Sequence, residues 1–406
     1  MVTTSYPRFP GDSVGTFMEP IARSVAARGH VVHIVAPWHP LVQRAPYEDG
    51  VHFHFFKYAP VPTLNVFGYA SAMRADVNLR GAAYVAAPLA MAAGWRAARK
   101  VARRQGATVM HGHWVVPGGF MAATAAPDLP LVVSLHGSDV YVAETLGPAR
   151  RAAAYVFRRA GAVTACSADL AARAIRLGAD KSRTEVVPYG VDVERFRPQE
   201  NVREARRAGL GVSPDDLLVS AAGRLVRKKG FEYLVEAIGL MAAQPRVVLA
   251  IAGEGDLRGE LEERARSAGV PDRVRFLGNL TQDDVAAHFA AADIVVVPSV
   301  RDDSGNVDGL PNVVLEALAA GAPLITTPAG GIGAVVEHGR TALVVSERDG
   351  SALAGAIATL AMDRTARARL GEAGRRLVTE RYGWAAAAAS FESAYRRALA
   401  RKSAER

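Results

Sequence analysis

The feature that most limits what this chain can fold into is the spacing of its apolar runs. Short β-rich segments recur from end to end, each parted from the next by a longer stretch of helical periodicity. In the first half they read "VVHIVAP" (31–37), "ATVMHGH" (107–113), "PLVVSLHG" (130–137), "AVTACS" (162–167) and "TEVVPYG" (184–190). In the second they read "LLVSAAGR" (217–224), "VVLAIAGEG" (247–255), "VRFLGN" (274–279), "DIVVVPS" (293–299), "PLITTP" (323–328) and "ALVVS" (342–346). Runs apolar at consecutive positions suit strands buried on both faces, and parallel strands need crossovers long enough to hold a helix. The pattern predicts an α/β chain of doubly wound parallel sheets.

A chain of 406 residues exceeds what one core usually holds, which predicts two domains. Apolar periodicity gives way to charge across "VDVERFRPQENVREARR" (191–207). The division expected is a Rossmann-like domain over 1–197, a second over 198–379, and a C-terminal helix over 380–406 free to return to the first. Helix "FMEPIARSVAARG" ends at Gly29, a suitable cap residue. The opening "MVTTSYPRFPGDSVG" supplies almost no strand before its first loop.

Composition narrows the function. The single Cys166 forbids an internal disulfide and fits a reducing compartment. Without a charged, apolar, small-residue signal at the start, a cytosolic location is expected. The longest apolar tract, Ala82 to Gly94, is short of a membrane span. The net charge is +9, and "WRAARKVARR" (95–104) is the densest basic run, either a solvated helix face or a contact for anionic lipid headgroups or an anionic ligand. Nucleic acid is disfavoured, since no zinc-finger spacing or stacking pattern accompanies the charge.

Ligands of open parallel sheets bind beyond the carboxyl ends of strands. His113, His136, Arg224, Gly253 and Ser299 all stand at such ends. In "GRLVRKKGFEYLVEA" (223–237), Arg224 and Lys229 precede a helix whose free N–H groups favour an anion; a solvated basic turn is the plainer reading. In "VDGLPNVVLEALAAG" (307–321), Asp308 stands in a loop and Glu316 early in a helix that Pro311 opens and Gly321 closes. Two carboxylates and the N–H groups near Asn312 and Val313 suit a polyol bearing an anion. A buried ion pair for Glu316 and a turn role for Asp308 remain open at this point.

Other chemistries lack their signatures. The pairs His52/His54 and His111/His113 have metal-like spacing but no nearby Cys or third ligand, so no metal is expected. There is no G-x-S-x-G elbow and no G-x-x-x-x-G-K-[ST] phosphate loop. "GEGDLR" and "GIGAVV" supply two of the three glycines of a dinucleotide fingerprint, late in the chain.

The ordered set "PGDSVGTF", "HGSDV", "VVPYGVDVERFRP", "GRLVRKKG", "AGEGDL", "VRFLGN", "VPSV", "DGLPNVVLEALAAGAPLITTPAGGI" and "YGWAAAAASFESAYRRAL" resembles the family-four retaining glycosyltransferases through nearly the whole length. The resemblance implies a GT-B fold, two Rossmann-like domains facing across a cleft, with the first domain binding acceptor and the second the nucleotide-sugar donor. It implies that Arg224 and Lys229 hold the donor diphosphate, that Gly15 lets backbone approach it, and that Glu316 takes the ribose hydroxyls. Asp308 matches the acid that touches the donor sugar, with backbone contacts from Gly309 and Leu310, and His136 the histidine near the sugar's hydroxymethyl group. Gly253, Leu277, Asn312 and Val313 fall on the donor side as well, and His113, Asp139 and Tyr141 on the acceptor side. Two departures stand out: Asp308 replaces the family's usual Glu, and "GGIGAVVE" (330–337) replaces Gly-Gly-Ile-Pro-Glu.

The reaction so implied moves a sugar from a UDP- or GDP-sugar to an acceptor hydroxyl with retention, needing neither metal nor other cofactor. Bacterial glycolipid, surface-polysaccharide or glycoside assembly is the role expected, at the inner face of the membrane. An epimerase or phosphorylase on the same fold, and a non-catalytic sugar-nucleotide binder, are the alternatives.

Overall fold

The structure is a computed structural model describing every residue except 13, 66, 70–80, 243–246 and 405–406. The chain divides into two compact units, Met1–Tyr189 with Trp384–Arg406, and Gly190–Gly383.

The first unit is built on β1 (Val32–Pro37), β2 (Tyr47–Glu48), β3 (Val51–Phe56), β4 (Met110–His113), β5 (Leu131–Leu135), β6 (Ala162–Ala165) and β7 (Thr184–Val186). Strands β1, β3 and β2 lie in one run and β4 to β7 in another. The two runs are joined through Val2, which bridges in parallel to Val35 of β1 and to Gly112 of β4. The Val2 N–H donates to the His111 carbonyl at 2.8 Å, and the His113 N–H donates to the Val2 carbonyl at 2.9 Å. The opening strand is thus a residue or two long, too short to leave a periodic signal. Counting it as first, the parallel strands run third, second, first, fourth and onward, so the switch in winding falls between the Val2 strand and β4. The loop carrying Gly15 and the end of β4 both leave that point.

The C-terminal helix Trp384–Ala404 completes this unit. Its buried face carries Ala388, Phe391, Ala394, Tyr395 and Ala398. Tyr395 bonds Nδ1 of His111 at 2.8 Å, and Arg28 Nε donates to Glu392 at 2.8 Å. A Cβ on Gly161 would meet Ala398 at 2.9 Å, so glycine there allows the helix to lie against the sheet edge.

The second unit holds β8 (Leu217–Ala222), β9 (Val247–Ala252), β10 (Val274–Phe276), β11 (Ile294–Val297), β12 (Leu324–Thr326) and β13 (Leu343–Val344). They pair in the order β10-β9-β8-β11-β12-β13, in parallel throughout. One face of the sheet, with Val219, Leu249, Ile251, Ile294, Val296 and Ile325, packs on Phe231, Leu234, Val235 and Ile238. On the other face Leu218, Val248 and Ala250 pack with Val212 and Ala291. Burial on both faces explains the unbroken apolar runs. The winding switches between β8 and β11, so the loops after Ala222 and after Val297 meet at the usual ligand position of such sheets.

Candidate functional site

The candidate site residues gather at the switch point of each unit. In the second unit, β8 leads through Gly223 and exposed Arg224 into a turn over Arg227–Lys229. Gly230 closes the turn at φ +67, where a Cβ would stand 2.0 Å from the Pro298 carbonyl. The N–H of Val300 donates to the Lys228 carbonyl at 2.9 Å, tying this loop to the one after β11. Two lysines are thereby aimed at one carboxylate. Nζ of Lys228 lies 3.0 Å from Oδ1 of Asp308, and Nζ of Lys229 lies 2.6 Å from Oδ2. Burial alone would raise the Asp308 carboxyl, but Lys228 and Lys229 outweigh it and hold the group well below the usual carboxylate range. Gly330, at φ +59, lets the next loop back directly onto the Asp308 carbonyl, which a Cβ would meet at 2.0 Å. The unusual "GGIGAVVE" stretch therefore keeps the glycine that this contact requires.

Gly309, Leu310 and Pro311 are buried and lead into the helix Asn312–Ala319. No side chain caps that helix. Gly321 follows it at φ +70. Glu316 is buried on it, and burial pushes its carboxyl up to about 7 against the pull of Lys229 and then Arg195. Asp308 and Glu316 thus both respond to Lys229, the first as a direct ion pair and the second through space. Gly253 ends β9 at φ +136, and a Cβ there would meet the Gly223 carbonyl at 1.9 Å. Its N–H donates to the Gly278 carbonyl at 2.7 Å, next to Leu277. Gly253 thus lies directly against the backbone that leads into Arg224, while Leu277 packs on the Leu218 and Val248 face of the sheet.

In the first unit, Asp139 pins two strand-end loops together. Its Oδ1 accepts from the N–H groups of His136 at 3.1 Å and Gly137 at 2.9 Å, and its Oδ2 from that of Val115 at 2.8 Å. Burial raises its carboxyl, and these donors pull the other way. Trp114, between the two loops, has φ 61 and ψ 122, a strained setting for a bulky residue. His136 has both ring nitrogens engaged, Nε2 with His113 Nδ1 at 3.2 Å and Nδ1 with the Tyr189 hydroxyl at 2.5 Å. Burial pushes its imidazole down to about 3, so it is neutral at physiological pH. His113 is fully buried, while Tyr141 is partly exposed. Gly15 turns the first loop at φ +63 into the helix Met18–Ala26, and Phe17 packs on His136 with ring centres 4.8 Å apart.

Sequence reasoning passed over Lys228, Phe17, Trp114 and Tyr189. The doubled lysine in "RKKG" was a signal for the first, but only the turn geometry shows that both side chains reach Asp308. Among the described residues, no three or more His, Cys, Asp or Glu side chains are placed to hold a metal ion. His33, His52 and His54 instead contact one another across β1 and β3, with His33 Nδ1 3.0 Å from His54 Nε2.

Residues 14–195 match the model of "Glycosyltransferase Family 4", and residues 202–377 that of "Glycosyl transferases group 1". The GDP-mannose-dependent alpha-(1-6)-phosphatidylinositol monomannoside mannosyltransferase of Mycobacterium tuberculosis is 35% identical over 269 residues, 64% of this chain and 68% of that one. The D-inositol 3-phosphate glycosyltransferase of Xylanimonas cellulosilytica is 32% identical over 313 residues, 73% of each. Among solved structures, Anabaena HepE in complex with UDP superposes with a TM-score of 0.76 over 96% of this chain and 97% of that one, at 19% identity, a likeness of fold. With a GT-B-type fold, both family models matched and relatives above 30% identity, the chain belongs to the family 4 glycosyltransferases.

Proposed function

We propose that this glycosyltransferase moves a hexose from a nucleoside-diphosphate sugar to an acceptor hydroxyl with retention of configuration and without a metal. The observation that carries the reading is the Lys228–Asp308–Lys229 cluster at the switch point, beside the uncapped helix start at Asn312. The unit Gly190–Gly383 would bind donor and the unit containing His136 would bind acceptor. Lys229, Arg224 and the helix start take the diphosphate, and Glu316 the ribose hydroxyls. A diphosphate arriving at Lys229 replaces one oxygen of Asp308. Lys228 then keeps the carboxylate in place to accept from a sugar hydroxyl. His136, Gly309 and Leu310 complete the sugar contacts, and the backbone at Gly15 approaches the phosphates.

For retention, the acceptor attacks the face that the diphosphate leaves, and a diphosphate oxygen takes its proton. The lysines and the helix start stabilise the charge that develops on the leaving group, work a metal would otherwise do. The mannosyltransferase relative is named for GDP-mannose, and HepE is solved with UDP, so both bases belong in the first screen. The relative is named for phosphatidylinositol monomannoside, which favours a glycolipid acceptor here, with Tyr141 as a partly exposed contact for it. No described helix is long and apolar enough to cross a membrane.

The test is release of nucleoside diphosphate. Purified protein should liberate GDP from GDP-mannose or UDP from UDP-glucose, unaffected by EDTA. Release of a sugar phosphate, or conversion of the donor to its epimer, would sink the reading.

A further inference from the structure

Two imidazoles and a phenol stand in a row at the carboxyl edge of the first unit's sheet. His113 ends β4, and the register sets it opposite Ser134 of β5, two residues before His136. His136 meets His113 at Nε2 and the Tyr189 hydroxyl at Nδ1. Its ring lies 14° from the plane of His113 and 9° from that of Tyr189, with Phe17 and Trp114 packed on it at 4.8 and 4.7 Å. His113 itself has no exposed surface and stacks on His111 with ring centres 4.1 Å apart. Its Nε2 has no partner among the described residues, so its polar contact is the one it makes with His136. A neutral imidazole carries one donor and one acceptor, and the bond at one nitrogen decides what the other offers. A side chain wholly out of solvent, with its hydrogen bond spent on a neighbour, acts through that neighbour.

We propose that His113 is a positioning residue. By holding Nε2 of His136 it fixes that ring's tautomer and plane, so that Nδ1 and the Tyr189 hydroxyl face the transferred sugar in one protonation state. The assignment rests on His136 being a donor-sugar contact, and it moves His113 from the acceptor side to the support of that contact.

Long-range proton–nitrogen NMR of the histidine-labelled chain reads the tautomer without any added ligand. His136 should show one neutral tautomer in the wild type and a mixture in His113→Leu. His113→Asn, whose amide can stand where Nδ1 stood, should restore the single tautomer, whereas His113→Gln, whose amide sits farther out, should not. Unchanged His136 nitrogen shifts in the Leu variant overturn the proposal.

Turnover of GDP-mannose and UDP-glucose gives a second readout. His113→Leu should lower kcat about tenfold, the worth of one hydrogen bond, with KM little changed. The Asn variant should recover most of it, and in a His136→Ala background the Leu change should add nothing. Full additivity, or losses that follow melting temperature alike in Leu, Asn and Gln variants, would show a packing role and overturn it. If His136→Ala leaves turnover intact, the sugar-contact reading falls, and the NMR result still decides whether His113 sets the tautomer.

Discussion

Asp308 and Glu316 are the same functional group eight residues apart, and their surroundings drive them in opposite directions. Two lysines keep Asp308 ionised, whereas burial leaves Glu316 titrating at about 7. A ribose hydroxyl donates best to the ionised form, so GDP affinity should rise as pH goes from 6 to 8. Glu316→Gln should flatten that profile, as isothermal titration at several pH values would show. The same raised carboxyl makes its share of folding stability largest below about 4.5 and lost as pH rises toward 7. Asp308→Glu lengthens the acid by one methylene between the two lysines. It should change the ratio of GDP-mannose to UDP-glucose turnover, and an unchanged ratio would count against a sugar contact. Arg224, Lys229, Asp308 and Glu316 could be singled out in sequence because they stand at strand and helix ends, and the family resemblance supplied the roles proposed for them. Lys228 could not, because only the tight turn before Gly230 points it inward rather than to solvent.

At the scale of elements, loops are placed by glycines and by one buried carboxylate. Gly230, Gly253 and Gly330 each lie where a Cβ would stand about 2 Å from a neighbouring carbonyl oxygen. Gly230→Ala should therefore lower the melting temperature by the equivalent of at least ~1–3 kcal/mol and weaken donor binding with it. A variant as stable as the wild type would show that the turn is free to move. The strands were readable because a strand covered on both faces is an apolar run. The first strand was not, since Val2 holds its place with backbone bonds on both sides and little sequence of its own. The strain at Trp114 and the three-way bond of Asp139 were equally hidden, being products of β4 and β5 lying side by side.

For the whole molecule, the course of the chain matters more than its length. The first unit takes its last helix from the far end of the sequence, while the second is continuous from Gly190 to Gly383. Removing 384–406 would uncover the buried row from Ala388 to Ala398 and leave His111 without its Tyr395 partner. The truncated chain should lose stability in the first unit while its second unit still binds GDP, an outcome that differential scanning calorimetry with and without GDP would resolve. Loss of GDP binding would mean that the second unit's residues do not suffice to hold the nucleotide without the first-unit contact proposed for Gly15. The order of motifs announced the family and the paired Rossmann-like sheets, but which lysine meets which acid is decided by winding that no single segment contains. On the proposed function, the donor diphosphate is held where Lys228 and Lys229 converge on Asp308. Calorimetric titration of GDP and of UDP into wild type and Lys229→Ala measures what that lysine contributes. The better-bound nucleotide should bind the variant at least about tenfold more weakly. Equal affinity in the two proteins would contradict that placement.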